Sequence, residues 1–186
     1  MPIPSYSRLQ VLLVAVTMVL FVAMLVVNEL VFTHLEFVRG VNWIYLPAGM
    51  RLLCTLLFAE EGAVGLLLAS WLVSFFYFFP DQPSRAFVGG IVAAVAPYAV
   101  YCVARRRWGL ERSLANLTPS RLLVPALVYS VASPLLHHVM FALQGQRDLA
   151  RSFLAMFVGD LTGTLIVIYT AKALLVAVRP RSGHLV

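Results

Sequence analysis

Long apolar runs separated by short polar breaks make up most of the chain. The runs cover residues 9–32, 46–59, 63–79, 86–104, 122–143 and 153–178. A helix needs roughly 20 mainly apolar residues to cross the hydrocarbon core of a bilayer, and most of the runs are close to that length. The pattern predicts an all-α, polytopic membrane helical bundle with about six transmembrane helices and short connections.

The second run opens with polar and aromatic residues in the stretch VNWIYLPAGMRLL, residues 41–53. Pro47 suits the first turn of a helix, where its missing N–H is not needed. Aromatic side chains such as that of Trp43 favour the boundary between hydrocarbon and headgroups. We therefore expect a partly buried start to this helix, with Trp43 at the interface and Arg51 carried inward.

The composition supports the membrane assignment and limits the other classes. Of the 186 residues, 61% are hydrophobic and 12% are charged, whereas charged residues make up about a quarter of a soluble domain. Residues 1–186 are therefore expected to form a single integral membrane domain whose first partner is the lipid bilayer. Another membrane or cytoplasmic protein is expected to supply the output or the energy.

The net charge of +6 comes from basic residues that flank the apolar runs. This placement is typical of membrane orientation and of contacts with anionic headgroups, and it argues against a nucleic-acid partner. The triple group Arg105, Arg106 and Arg107 follows an even number of predicted crossings, so it lies on the same side as the N-terminus. The sequence therefore predicts both termini in the cytoplasm.

Ionisable residues within the apolar runs are the main candidates for a site, because charge is costly in hydrocarbon. At about 1.5 Å per residue, Arg51, His137 and Asp160 each lie roughly 7–10 Å from the non-cytoplasmic ends of their helices. This shared depth predicts a polar pocket in the non-cytoplasmic half of the bilayer. A buried arginine and a buried aspartate need each other, so an Arg51–Asp160 pair is expected whether or not a ligand binds.

The predicted ligand-binding set extends this pocket to neighbouring polar and aromatic residues. Its members are Asn42, Trp43, Arg51, His137, Asp160 and Thr164.

The stretch MFVGDLTGT, residues 156–164, predicts close helix packing beside Asp160. Gly159 and Gly163 form a GxxxG pattern that lets a neighbouring backbone approach, and Pro47 and Gly49 open the second run in a similar way. These four residues are assigned to helix packing. In the purely structural alternative, the glycines pack and Asp160 pairs with an arginine without any ligand.

No metal site, cofactor or catalytic motif is assigned. His137 and His138 point about 100° apart on a helix, so at most one of them faces a given cavity. A metal set of Glu29, His137 and Asp160 from separate helices is the alternative. The sequence contains no common hydrolase, nucleotide-binding or metalloprotease signature, and we predict a protein that is not an enzyme.

Two stretches together resemble the membrane-associated sensor domains of the MASE type, first subfamily. Trp43, Pro47 and Gly49 match a W-x-P-x-G-like start to an early helix, and GDLTG, residues 159–163, matches a G-D-x-x-G-like stretch in a late one. The resemblance spans most of the chain. It implies a sensory module of the bacterial inner membrane that binds a small ligand and acts through a partner protein.

The overall architecture is also similar to the substrate-binding (S) components of energy-coupling-factor vitamin transporters. That similarity implies the alternative function of a substrate-binding or solute-transport membrane subunit. A scaffold or assembly subunit of a membrane complex is the second alternative. A neighbouring kinase or cyclase gene would favour sensing, and a neighbouring ATPase gene would favour transport.

Overall fold

The computed structural model describes residues 7–109 and 119–178, and in this part of the chain helices predominate. The elements are α1 (Arg8–Phe32), β1 (Glu36–Val38), β2 (Val41–Asn42), α2 (Leu46–Val73), α3 (Pro83–Trp108), α4 (Pro119–Leu143) and α5 (Leu149–Val178). The membrane helical bundle expected from the apolar runs is thus present. Helices α1, α3, α4 and α5 extend up to four residues beyond their runs, whereas the run 46–59 and most of the run 63–79 fall in α2, which ends at Val73. The orientation prediction also counts basic residues at other ends of the runs, and of these Arg112, Arg179 and Arg181 lie outside the described ranges.

The direction of the first helix, α1, serves as the reference for the other elements. Ser7 caps it, since its hydroxyl accepts from the Gln10 N–H while the Gln10 side chain bonds the Ser7 N–H, and this capping box satisfies two otherwise unpaired donors. After α1, β1 and β2 form an antiparallel hairpin in which Glu36 lies opposite Asn42. We call this end of the bundle the hairpin end and the end near Arg8 the opposite end.

The short β-hairpin is an addition to the all-α prediction. Gly40 has a φ of +82° in its turn, a conformation that glycine adopts without steric cost. The Glu36 side chain accepts a 2.9 Å hydrogen bond from the Gly40 N–H. Apolar periodicity gave no signal here, because the hairpin is too short to show an alternating pattern.

The chain reverses direction within α2, at Ala59. Ala59 has φ 50° and ψ −116°, close to the first central position of a type II′ turn, the mirror image of type II. Before this break the Leu46 N–H donates to Asn28 Oδ1 at the hairpin end of α1. After it, Glu61 accepts from Gln10 at the opposite end of α1, and Tyr77 then contacts Glu29 and Arg39 back at the hairpin end. Residues 46–58 and 60–73 therefore run in opposite directions.

Within residues 7–109 and 119–178, five helices are long and apolar enough to cross a membrane, and Leu46–Phe78 counts as one of them. The part before Ala59 is about 13 residues long, or about 20 Å, which is shorter than a hydrocarbon core of roughly 30 Å. It is also almost completely buried by the other helices. The six crossings therefore stay a prediction, although residues 46–58 and 60–73 form separate antiparallel segments as the apolar runs suggested.

Residues 46–56 form the centre of the bundle. Ala48 and Leu52 have 0% exposure, and the main hydrophobic cluster is built around this segment. Helix α1 packs on α2 but leaves most of its own apolar side chains exposed. The site described below is therefore positioned by a buried half-helix with longer helices around it.

Candidate functional site

Arg51 lies on the buried half-helix with only 7% of its surface exposed. Its guanidinium carbon is 5.0 Å from the ring centre of Phe21 and 5.4 Å from that of Tyr45. Such contacts with aromatic faces stabilise a cation, the more so when water is excluded. The cation is therefore held between α1 and the start of α2.

Asp160, on α5, is the buried acidic partner of this cation. It is 1% exposed, and its carboxylate interacts electrostatically with Arg51. Within the described residues, however, no hydrogen bond of 3.5 Å or less reaches either carboxylate oxygen of Asp160 or Nε of Arg51, although Ser133 lies close enough to interact with the carboxylate. The structure thus brings the predicted pair into electrostatic range without a hydrogen bond to either oxygen of the carboxylate.

Several hydroxyl groups near this pair also keep unused hydrogen-bonding capacity. Tyr129 and Ser133 of α4 interact with Asp160, and Thr164 lies one turn from Asp160 on the same face of α5. Among the residues that the structure describes, Tyr129 Oη, Ser133 Oγ and Thr164 Oγ1 make no hydrogen bond of 3.5 Å or less, although Tyr129 and Ser133 lie close to each other. Buried polar groups nearly always have one, so this cluster is suited to a polar guest such as water or a small ligand.

The glycines of α5 let the start of α2 approach this cluster closely. A side chain on Gly159 would collide with the Asn42 carbonyl, and one on Gly163 would collide with that of Tyr45. The Tyr45 N–H donates to the Gly159 carbonyl at 3.1 Å. Gly49 in turn lies against the Gly163 carbonyl, so these residues sit where two backbones touch.

A small cavity of about 50 Å³ adjoins Arg51 at the hairpin end. Its wall includes Arg39 of the hairpin turn, Tyr45 immediately before α2, Arg51 of α2, His137 of α4 and Met156 of α5. A water molecule occupies about 30 Å³ in the liquid, and pockets for drug-sized ligands are roughly 300–1,000 Å³. The cavity therefore has room for a small ion, one functional group or one or two waters.

The two adjacent histidines face different partners. His137 lines the cavity, and its Nδ1 lies 2.8 Å from the Ser133 carbonyl. Nε2 of His138 lies 2.8 Å from Ser152 Oγ, so His138 links α4 to α5. Because a carbonyl only accepts, Nδ1 of His137 carries a proton, which leaves Nε2 for a guest in the cavity.

The remaining predicted residues lie at different distances from the cavity. Asn42 is buried, and its Nδ2 has no hydrogen-bond partner in the described ranges. Trp43 is half-exposed and packs edge-on against Phe37, with ring centres 6.1 Å apart. Its indole belongs to the surface of the hairpin end, whereas the Asn42 side chain belongs to the interior.

The alternative metal set is wrong. In residues 7–109 and 119–178 no group of three or more His, Cys, Asp or Glu side chains could hold a metal ion. Glu29 instead lies on the surface and accepts a 3.1 Å hydrogen bond from Tyr77 Oη. It is therefore not part of the interior cluster around Asp160.

Sequence reasoning missed Tyr129, Ser133 and Arg39. Tyr129, Ser133 and His137 follow one another at a spacing of four residues, which places all three on one face of α4. That polar stripe was readable in the sequence and would have found the cluster. Arg39 had no comparable signal, since only the hairpin turn brings it to the cavity.

Long apolar helices around buried polar side chains define a polytopic membrane protein with an interior polar site. The MASE1 family model matches residues 11–185, so the chain belongs to the MASE1 family of membrane-associated sensor domains. It is a multi-pass protein of the inner membrane. No curated protein and no solved structure matches the chain.

Proposed function

We propose that the chain is a non-enzymatic sensory module that binds a small ligand in the cavity beside Arg51 and signals through a partner protein. One observation carries this proposal. Arg51 and Asp160 are buried in the bundle, and their polar atoms and those of their neighbours keep hydrogen-bonding capacity next to a cavity. Burying charge without direct hydrogen bonds is costly, and a site that binds a ligand accounts for that cost.

The position of Arg51 suggests how binding would change the bundle. Its guanidinium rests on Phe21 and Tyr45 and interacts with Asp160 at longer range. A ligand that draws Arg51 towards the cavity would favour one packing of residues 46–58 over another. A ligand shifts such an equilibrium only by its differential affinity for the two states, and a different position of Arg51 in each state would supply that difference.

Thermal unfolding of the purified full chain in lipid nanodiscs tests the proposal. A panel of inorganic anions, carboxylates, metal cations, amino acids and neutral solutes would be added at matched ionic strength. We expect at least one solute class to raise the midpoint of unfolding, because binding to the folded state stabilises it. The Arg51→Gln/Asp160→Asn double variant, which keeps the interior neutral, should lose the shift.

Arg106→Gln is the matched control, because Arg106 is exposed at the opposite end. It should respond to the solute as the unmodified chain does. If no solute class raises the midpoint, or if the double variant responds fully, ligand binding at this site is refuted.

Solute uptake is the second candidate, and the break at Ala59 favours it. Transporters bind solutes where discontinuous helices meet inside the membrane, and residues 46–58 form such a buried half-helix. Proteoliposomes with and without candidate ATPase partners would be assayed with solutes that raise the unfolding midpoint. Accumulation that Arg51→Gln/Asp160→Asn abolishes would favour transport, and binding without accumulation would favour sensing.

A further inference from the structure

We propose that the ligand of the cavity is a small oxyanion, such as a carboxylate, phosphate or sulfate group, held by Arg51 and Arg39. This inference rests on the proposed function and adds the chemical class of the ligand. Three features of the cavity support it, namely the charges that line it, the groups that hold those charges in place, and its volume.

The charged residues in the cavity wall are cations. Arg39 and Arg51 line it, and among the described lining residues no aspartate or glutamate is present. Tyr45 and Ser74 add hydroxyl groups to the wall. Arginine presents several N–H donors in a planar fork that matches the oxygens of carboxylate and phosphate groups, so this wall favours an oxyanion.

Aromatic side chains position the arginines at the hairpin end. Arg39 donates to the Tyr77 backbone carbonyl at 2.8 Å, and its guanidinium carbon lies 4.8 Å from the centre of the Tyr77 ring. A third cation, Arg85, lies 4.3 Å from the ring centre of Phe79 and 5.2 Å from that of Phe141, and both rings belong to the cavity wall. The aromatic faces thus hold positive charge beside the cavity.

The nearby carboxylates lie outside the cavity wall. Glu36 accepts from the Gly40 N–H and Glu29 from Tyr77 Oη. Asp160 is not part of the cavity wall and interacts with Arg51. A bound anion would therefore compete with Asp160 for the same guanidinium. Removing the Asp160 charge should consequently strengthen binding of the anion.

The cavity volume of about 50 Å³ limits the guest to a small group. It exceeds the space of one water molecule and is well below the pocket of a nucleotide-sized ligand. A free inorganic oxyanion or short carboxylate would fit, and so would the phosphate of a lipid headgroup that approaches from the hairpin end. Both sources share the chemistry that the arginines recognise.

The test uses the full chain in nanodiscs of zwitterionic lipid. Acetate, sulfate and phosphate would be titrated against chloride at constant ionic strength, with magnesium chloride as the cation arm, and the unfolding midpoint would be recorded. We expect at least one oxyanion to raise the midpoint. Asp160→Asn should lower the apparent Kd by about 5-fold or more, since couplings between sites commonly reach that size.

Arg39→Gln tests the same site without altering the interior, because Arg39 is exposed. It should raise the apparent Kd of the oxyanion several-fold, whereas Arg106→Gln should leave it unchanged. Arg51→Gln/Asp160→Asn should abolish the shift while retaining the fold.

A second arm identifies the source of the anion. In nanodiscs that contain phosphatidylglycerol, a higher midpoint that Arg39→Gln removes and that free oxyanions do not increase would support a lipid phosphate. Stabilisation by magnesium or a neutral solute alone would overturn the oxyanion proposal and leave the sensory proposal standing. Weaker oxyanion binding in Asp160→Asn would overturn it as well.

Discussion

At the scale of single residues, Arg51 is stabilised by two kinds of interaction of different range. The ring faces of Phe21 and Tyr45 contact its guanidinium, and the Asp160 carboxylate interacts with it without a hydrogen bond to its oxygens. The rings hold the cation in place when the acid is removed. The acid has no comparable substitute, because the neighbouring hydroxyls of Tyr129 and Ser133 carry no charge.

This asymmetry predicts unequal effects of removing each charge. Arg51→Met leaves a buried carboxylate without a cation and should destabilise the chain by about 3–5 kcal/mol. Asp160→Asn should cost less, because Phe21 and Tyr45 still contact the guanidinium. The double variant should lose about 1–3 kcal/mol less than the sum of the single losses.

Reversible unfolding in mixed micelles would measure these free energies. If the single losses add to within about 0.5 kcal/mol of the loss in the double variant, the two residues act independently. That result would contradict a stabilising interaction between Arg51 and Asp160.

At the scale of elements, the reversal within α2 places the site. Ala59 is fully buried and has a positive φ, which an L-residue adopts at a cost of roughly 1–3 kcal/mol. Beyond it, Gly62 lies directly against the carbonyl of Cys54. The tight turn keeps residues 46–58 inside the bundle, and Arg51 is carried by this segment.

Replacement of Ala59 by glycine tests the turn. Glycine adopts positive φ without steric cost, so Ala59→Gly should relieve strain and offset its loss of a buried methyl group. Ala69→Gly is the matched control, because Ala69 is also fully buried but lies in a regular part of α2. We expect Ala59→Gly to be at least about 1 kcal/mol more stable than Ala69→Gly, and equal losses in thermal or micellar unfolding would contradict the strained turn.

At the scale of the whole molecule, the reversal also determines where the chain ends lie. Gln10 meets Glu61 at the opposite end, while Asn28 meets Leu46 at the hairpin end. Gly163 of α5 packs against Tyr45 near the hairpin end, and α5 then continues for about four more turns away from it. The start of α1 at Arg8 and the end of α5 at Val178 are therefore at the same end of the bundle.

Cysteine labelling in intact cells tests this topology and the predicted orientation. Single cysteines at the exposed positions Asp81 and Arg147 report on the hairpin end, and those at Ser7 and Trp108 report on the opposite end. In a background with Cys54 and Cys102 replaced by alanine, a membrane-impermeant maleimide should label only the first pair. The second pair should react after permeabilisation, because both termini are predicted to be cytoplasmic.

Labelling of both pairs from one side would contradict the bundle geometry. The reverse pattern would retain the geometry and contradict the predicted orientation.

The sequence alone determined the helices, because helix formation and membrane insertion depend on local properties. Each backbone group in a membrane helix bonds within its own segment, so the length of an apolar run is enough to locate it. The residues matching the sensor-domain pattern, including Pro47, Gly49 and the GDLTG stretch, pointed to the family that matches residues 11–185. Arg51, His137 and Asp160 predicted a shared depth for a polar site.

Only the tertiary structure decided which of these polar residues meet. The stripe of Tyr129, Ser133 and His137 marks one face of α4 in the sequence, but only packing between helices brings that face to Asp160. Arg39 reaches the cavity only through the hairpin turn. The reversal at Ala59 was equally hidden, since alanine is a strong helix former and its positive φ is imposed by the close contact around it. Local hydrogen bonding and hydropathy thus specify the elements, and long-range packing specifies the cavity that they enclose.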